Sequence, residues 1–192
     1  MYPIIKAPFE IIPLEIMTKR ETDDYFQWFI SQVPSRIEIL STYYERTSKE
    51  RKSSLNLSQD SLITLWEWFV PNIQRITKTT EEIQEEMSNA PEWLKEEIEN
   101  DTLKFSDETE TMIIDIGIYF GAVILKSYSN LNWGVIRKPR NYVDVNQPVI
   151  VGFKHGALNP IRVVTNCALQ TIDEQLNNKK LYEVYNIWSK YL

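Results

Sequence analysis

In 192 residues the chain holds one cysteine, Cys167, and one histidine, His155. A lone cysteine cannot close an intrachain disulfide, so the fold must rest on its core, and nothing in the composition calls for an oxidising compartment. A zinc site built from several Cys and His ligands cannot be assembled from one of each, and a Cys–His nucleophile pair would need both. No metal is expected. Glycine is scarce as well: the five stand at 117, 121, 134, 152 and 156, and none forms a phosphate loop or a dinucleotide fingerprint after a strand. No cofactor is expected either. Long hydrophobic runs are missing. The longest, residues 112–125, contains Asp115 and falls short of the roughly twenty residues that a membrane-spanning helix requires. Near the start, Pro3, Pro8 and Pro13, with Lys6, Glu10 and Glu15, interrupt the apolar stretch that a secretion signal would need. The expectation is a cytoplasmic protein without a membrane span.

What is present is an ordinary globular composition with heavy aromatic anchors. Hydrophobic residues make up 43% and charged residues 25%, and six Trp with ten Tyr can build a sizeable core. One domain over 1–192, with an extended arm at 1–20, accounts for this length. The net charge of −6 is unevenly placed: residues 78–110 carry three Lys against twelve acids, a net −9. Residues 126–162 carry six Lys or Arg against Asp144 alone, a net +5. Trp133, Tyr142 and Phe153 are interleaved with that basic segment, a pattern that could suit single-stranded nucleic acid. A pI near 5.0 argues against a dedicated nucleic-acid binder.

The periodicity predicts mostly helices. The three prolines of the arm favour extended backbone. Thr22 reads as an N-cap for a helix carrying Tyr25, Phe26, Phe29 and Val33, and Pro34 as the break before a second helix with Ile37, Leu40 and Tyr44. Residues 47–57 read as a solvated loop. Ser58 then caps a helix with the stripe Leu62, Leu65, Trp66 and Phe69, stopped at Pro71. Thr79 with Glu82 is a capping-box pattern, and Pro91, Leu94 and Ile98 mark a further short helix. Both would present acidic outer faces. Ser106 followed by Asp107, Glu108 and Glu110 starts a helix running to about Tyr128, apolar on most sides and so expected at the centre of the fold. A β-hairpin is expected from 133–138 and 147–153, with Pro148 on an edge. Asn159 and Pro160 open a helix with Ile161, Val164, Ala168 and Ile172, ended by Asn177 and Asn178. A last helix carries Leu181, Val184, Tyr185 and Trp188. The fold class is therefore α+β, predominantly helical, with a central buried helix and a small antiparallel hairpin.

Two features of the central helix bear on function. Gly117 and Gly121 lie one turn apart on a face shared with Ile113, Ile114, Ile124 and Tyr128, where each glycine costs about 1 kcal/mol relative to alanine and a closely packed neighbour is the expected compensation. Opposite them runs a polar stripe of Glu108, Thr111, Asp115, Tyr119, Ala122 and Lys126. A carboxylate beside a phenol in a cleft could act as a general acid or base, which makes Asp115 and Tyr119 the candidate catalytic residues. The competing reading is structural: Asp115 is hydrogen-bonded to Tyr119 or to a nearby basic residue. Cys167 lies in an amphipathic helix where a small buried hydrophobe is the usual role, and His155 sits in a turn sequence.

The run Asp115-Ile-Gly117-Ile-Tyr119-Phe-Gly121, followed by a turn and by Trp133 opening a strand, resembles a pattern of small uncharacterised bacterial families, some of them immunity-protein-like. The resemblance covers residues 106–153. Where that pattern often has an acidic residue after the second glycine, this chain has Ala122. The resemblance implies neutralisation of a toxin. The acidic segment, with Glu82, Glu86, Glu92 and Glu96 as candidate partner-binding residues, would attract a basic protein partner by electrostatic steering. The expectation is thus a non-catalytic binding protein, with a small enzyme using Asp115 and Tyr119, or a self-associating structural domain, as the alternatives. Oligomeric state is left open.

Overall fold

The computed structural model describes residues 1–48, 55–173 and 177–192. Among these are seven α-helices and two small antiparallel ribbons, a predominantly helical α+β arrangement. Helix α1 (Lys19–Thr47) starts one turn earlier than Thr22 suggests. Its N-cap is Thr18, whose side chain accepts from Glu21 N–H while the Glu21 carboxylate accepts from Thr18 N–H. Thr22 sits inside the first turn, its hydroxyl donating to Thr18 O at 2.9 Å.

The expected break at Pro34 does not occur, and α1 continues through it for 29 residues. A proline inside a helix costs about 3 kcal/mol, because it removes one hydrogen bond and crowds the preceding turn. Here Pro34 lies on the exposed side, while Phe29, Arg36, Leu40 and Tyr44 on the opposite side are all buried. Burial on both sides of the proline outweighs its local penalty.

Helix α2 (Ser61–Phe69) presents Leu62, Leu65, Trp66 and Phe69 to the core, all at 0% exposure, and Pro71 falls in the short 3-10 turn that ends it. Ser58 lies before the helix, its Oγ accepting from Ser61 N–H at 3.2 Å. Of the loop expected at 47–57, residues 49–54 lie outside the described residues. Thr47 belongs to α1, and Leu55 to Leu57 run irregularly into α2.

Strand β1 (Arg75–Thr77) pairs antiparallel with β2 (Leu103–Phe105), with Ile76 opposite Lys104. Between them the chain leaves the ribbon as α3 (Thr80–Asn89), a 3-10 turn at Glu92–Leu94, and α4 (Lys95–Asn100). The Thr79/Glu82 capping box forms at the start of α3. The two strands have no counterpart in the sequence reading, since three residues are too few to show alternation.

Helix α5 (Asp107–Ser127) is the central element, with thirteen buried residues and Ser106 as its N-cap. It packs on α1 and α6. Strands β3 (Asn132–Val135) and β4 (Pro148–Val151) form the expected hairpin, with Val135 opposite Pro148. Helix α6 (Pro160–Asp173) follows, the Asn159 side chain accepting from Arg162 N–H at 3.1 Å. It is described as far as Asp173, and residues 174–176, which precede the expected stop at Asn177, lie outside the described residues. Helix α7 (Lys180–Trp188) packs on α2 and buries Leu181 and Tyr185.

The glycine face of α5 meets two closely packed neighbours, a helix and the hairpin. A Cβ on Gly117 would lie 2.7 Å from Ile161 Cα of α6, and one on Gly121 would lie 2.8 Å from the Trp133 ring of β3. Trp133 also meets Phe29 of α1 edge-on, with ring centroids 5.3 Å apart. The two glycines therefore let α6 and the hairpin approach the central helix along one line.

Candidate functional site

The polar stripe of α5 is divided between two separate latches. Asp115 is 0% exposed, and Arg36 of α1 donates to both of its oxygens, Nε to Oδ1 and Nη2 to Oδ2, each at 2.7 Å. The Tyr2 hydroxyl donates to Oδ2 as well. Arg36 Nη2 also donates to Pro3 O at 2.9 Å, and the Tyr2 ring meets Tyr43 edge-on at 4.8 Å. One buried carboxylate thus joins the N-terminal arm, α1 and α5. Burial pushes the Asp115 carboxyl above its ordinary value, and the hydrogen bonds from Arg36 and Tyr2 pull in the opposite direction. The Tyr2 phenol is pushed up by burial first and by the Asp115 charge second.

Tyr119, one turn further on, is equally buried but serves a different element. Its hydroxyl oxygen accepts from Leu57 N–H at 2.8 Å and shares a hydrogen bond with Ser61 Oγ at 2.7 Å. Lys126 Nζ reaches Asn56 O at 2.9 Å, so the lower stripe holds the segment entering α2. Thr111 is buried, while Glu108 and Ala122 are half-buried. Asp115 and Tyr119 are therefore not brought together as an acid–phenol pair. Neither reaches solvent, and a general acid or base has to lie within hydrogen-bond reach of its substrate. The arrangement is chemically suited to fastening helices. Arg36 and Tyr2 escaped the sequence reading, although Arg36 occupies a position on the same face of α1 as Phe29, Leu40 and Tyr44, where a charge implies a buried partner.

The remaining single-copy groups are apart in environment. Cys167 is buried in α6, and burial pushes its thiol up to about 11, which keeps it protonated and unreactive at neutral pH. His155 is exposed in the turn after β4. Among the described residues no cluster of His, Cys, Asp and Glu could hold a metal ion. No described helix is long and apolar enough to cross a membrane.

The basic segment is engaged within the fold in part, while Lys138, Arg140 and Lys154 are exposed. Arg137 pairs with Asp23, and Arg162 Nη2 donates to the buried Asp144 Oδ2 at 2.5 Å. Asn159 Nδ2 donates to the other Asp144 oxygen at 2.8 Å. Two of its three interleaved aromatics are also occupied: Trp133 packs on Phe29 and Gly121, and Phe153 meets Trp188 at 5.1 Å.

The acidic segment stands out by contrast. Neither α3 nor α4 contributes a buried residue; the two helices pack on each other and are carried on the β1–β2 ribbon. Trp93, in the turn between them, is 80% exposed. Of the four carboxylates expected to meet a partner, Glu82 bonds Lys104 Nζ at 2.5 Å, Glu86 bonds Lys78 Nζ at 2.9 Å and Glu92 bonds Lys95 Nζ at 2.6 Å. Glu96 is exposed and in no ion pair among the described residues, as are Glu81, Glu85, Glu97 and Glu99. The projection thus fixes its own shape with one set of carboxylates and leaves another set in water.

Comparisons of the chain with protein families, with curated proteins and with solved structures found no match.

Proposed function

We propose that this protein is a non-catalytic cytoplasmic binding protein that receives a basic protein partner on the acidic α3–α4 projection, and that neutralisation of a bacterial toxin is the role such binding serves. The observation that carries the reading is the projection itself: sixteen residues of helix, ten in α3 and six in α4, none of them buried. Helices that only half-bury Ile83, Met87 and Ile98 add less packing stability than core helices, so their value lies in the surface they present. Glu81, Glu85, Glu96, Glu97 and Glu99 offer that surface free carboxylates, which accelerate encounter with a basic protein. The resemblance of α5 and Trp133 to immunity-protein-like families supports the toxin as the class of partner.

Reversal of Glu81, Glu85, Glu96 and Glu97 to Lys tests this without touching the capping box or the three ion pairs. Capture from the source cells at low salt should recover a basic protein with the native chain and not with the reversed one. High salt should have the same effect as reversal, because exposed charges are screened over about 8–10 Å at physiological ionic strength. Recovery of the same proteins by both forms at both salt concentrations would sink the reading.

A further inference from the structure

The projection carries a shallow, open groove as well as charge. Between α3 and α4 lies an open cleft of about 550 Å³, with Ala90, Pro91, Leu94 and Ile98 as its apolar lining and Glu85 and Glu86 among its walls. Leu94, which ends the 3-10 turn, and Ile98 of α4 are four residues apart and line the cleft together as one short ridge. Trp93 stands beside the cleft in the chain, between two residues that line it.

Resting on the reading that this projection docks a basic partner, we propose that the cleft seats the apolar face of a basic amphipathic helix, whose flanking Lys or Arg side chains meet Glu85, which is in no ion pair among the described residues. Two arguments select a helix over an extended segment. The backbone groups of α3 and α4 are bonded within their own helices, so an extended peptide laid in the cleft would find no strand edge to pair with. A helix brings its own backbone bonds satisfied, and its i, i+4 side chains mesh with a ridge of the same spacing. The charge argument selects a basic one: the acids in the walls lie within a segment whose net charge is −9.

The test uses the full-length protein and two dye-labelled synthetic peptides of identical Leu and Lys composition. One has leucines at i, i+4, i+7 and i+11, and the other is scrambled so that no helical face is apolar. Fluorescence anisotropy should show the amphipathic peptide binding at least about tenfold tighter, a difference of about 1.4 kcal/mol. Ala90→Lys and, separately, Glu85→Lys should remove that preference while the thermal melt of the protein stays in place. Equal binding of the two peptides would overturn the groove and leave docking by charge standing. Failure of both peptides to bind would overturn both readings. Preference unchanged in Ala90→Lys and Glu85→Lys would place the peptide elsewhere and overturn the proposal. A dimer in sedimentation that Ala90→Lys dissociates would assign the cleft to a second copy and overturn it equally.

Discussion

Arg36 and Asp115, 79 positions apart, meet in a two-pronged ion pair, Nε and Nη2 each lying 2.7 Å from a different carboxylate oxygen. The pair is closed over by Tyr2 and Pro3 and excludes water from both charges. Removing one partner of such a pair strands the other charge in the interior, which costs about 3–5 kcal/mol, whereas replacing both with apolar groups is often neutral. Asp115→Leu and Arg36→Met should therefore each lower the denaturant midpoint strongly, and the double variant should recover much of the loss. Additive losses in the double-mutant cycle would show that the two side chains act independently.

Tyr2 is the residue through which this ion pair holds the N-terminal arm. Tyr2→Phe keeps the ring against Tyr43 and deletes only the hydroxyl bonded to Asp115, a hydrogen bond to a charged group worth about 1.5–3 kcal/mol. Amide exchange should rise first in the arm and only then in the rest of the fold. Uniform loss of protection across α5 and α6 would mean that the arm and the core open as one unit.

The two glycines of α5 should tolerate no side chain. Gly117→Ala would drive its Cβ against the backbone of Ile161, 2.7 Å away, and α6 could yield only by moving as a whole. Gly121→Leu would meet the Trp133 ring, which is itself packed on Phe29. Overpacking of this kind costs about 1–3 kcal/mol, to be read from denaturant midpoints. An unchanged midpoint in both variants would contradict the close approach of α6 and Trp133 to α5.

Carboxyl titration should separate two glutamates on neighbouring elements. Hydrogen bonds from Lys104 and from Thr79 N–H hold Glu82 below the ordinary value of 4.5, while burial and then the Asp107 charge push Glu110 above it. The folded value for Glu82 is depressed, so its contribution to stability is present above the unfolded value and is lost as pH falls through the folded one. Glu110 has the opposite sign: its ionisation is disfavoured by the fold, and its contribution declines as pH rises. NMR of the side-chain carboxyls should find Glu82 titrating lowest of the two, and the reverse order would remove the Lys104 pair from the account.

Several features were legible in the amino-acid sequence because their causes act within a turn or a strand. The Thr79/Glu82 box, the Ser106 and Asn159 caps and the Leu62–Leu65–Trp66–Phe69 stripe each depend on residues a few positions apart, and the β3–β4 hairpin on the composition of two short runs. The glycine face of α5 was legible for a related reason, since two unfavourable residues one turn apart imply a neighbour that presses on both. Helix continuity at Pro34 was not, because the local penalty is visible in the chain and the burial of Phe29, Arg36, Leu40 and Tyr44 that overcomes it is not. The same holds for the candidate sites. Asp115 and Tyr119 share a helical face by periodicity alone, yet packing against α1, the arm and the start of α2 gave each its own partners and closed both from solvent. The acid count of residues 78–110 could be read directly, but which carboxylates stay free depended on Lys78, Lys95 and Lys104 folding back onto Glu86, Glu92 and Glu82. Short-range bonding follows from local order along the chain, whereas buried ion pairs and unoccupied surfaces depend on which elements tertiary packing brings side by side.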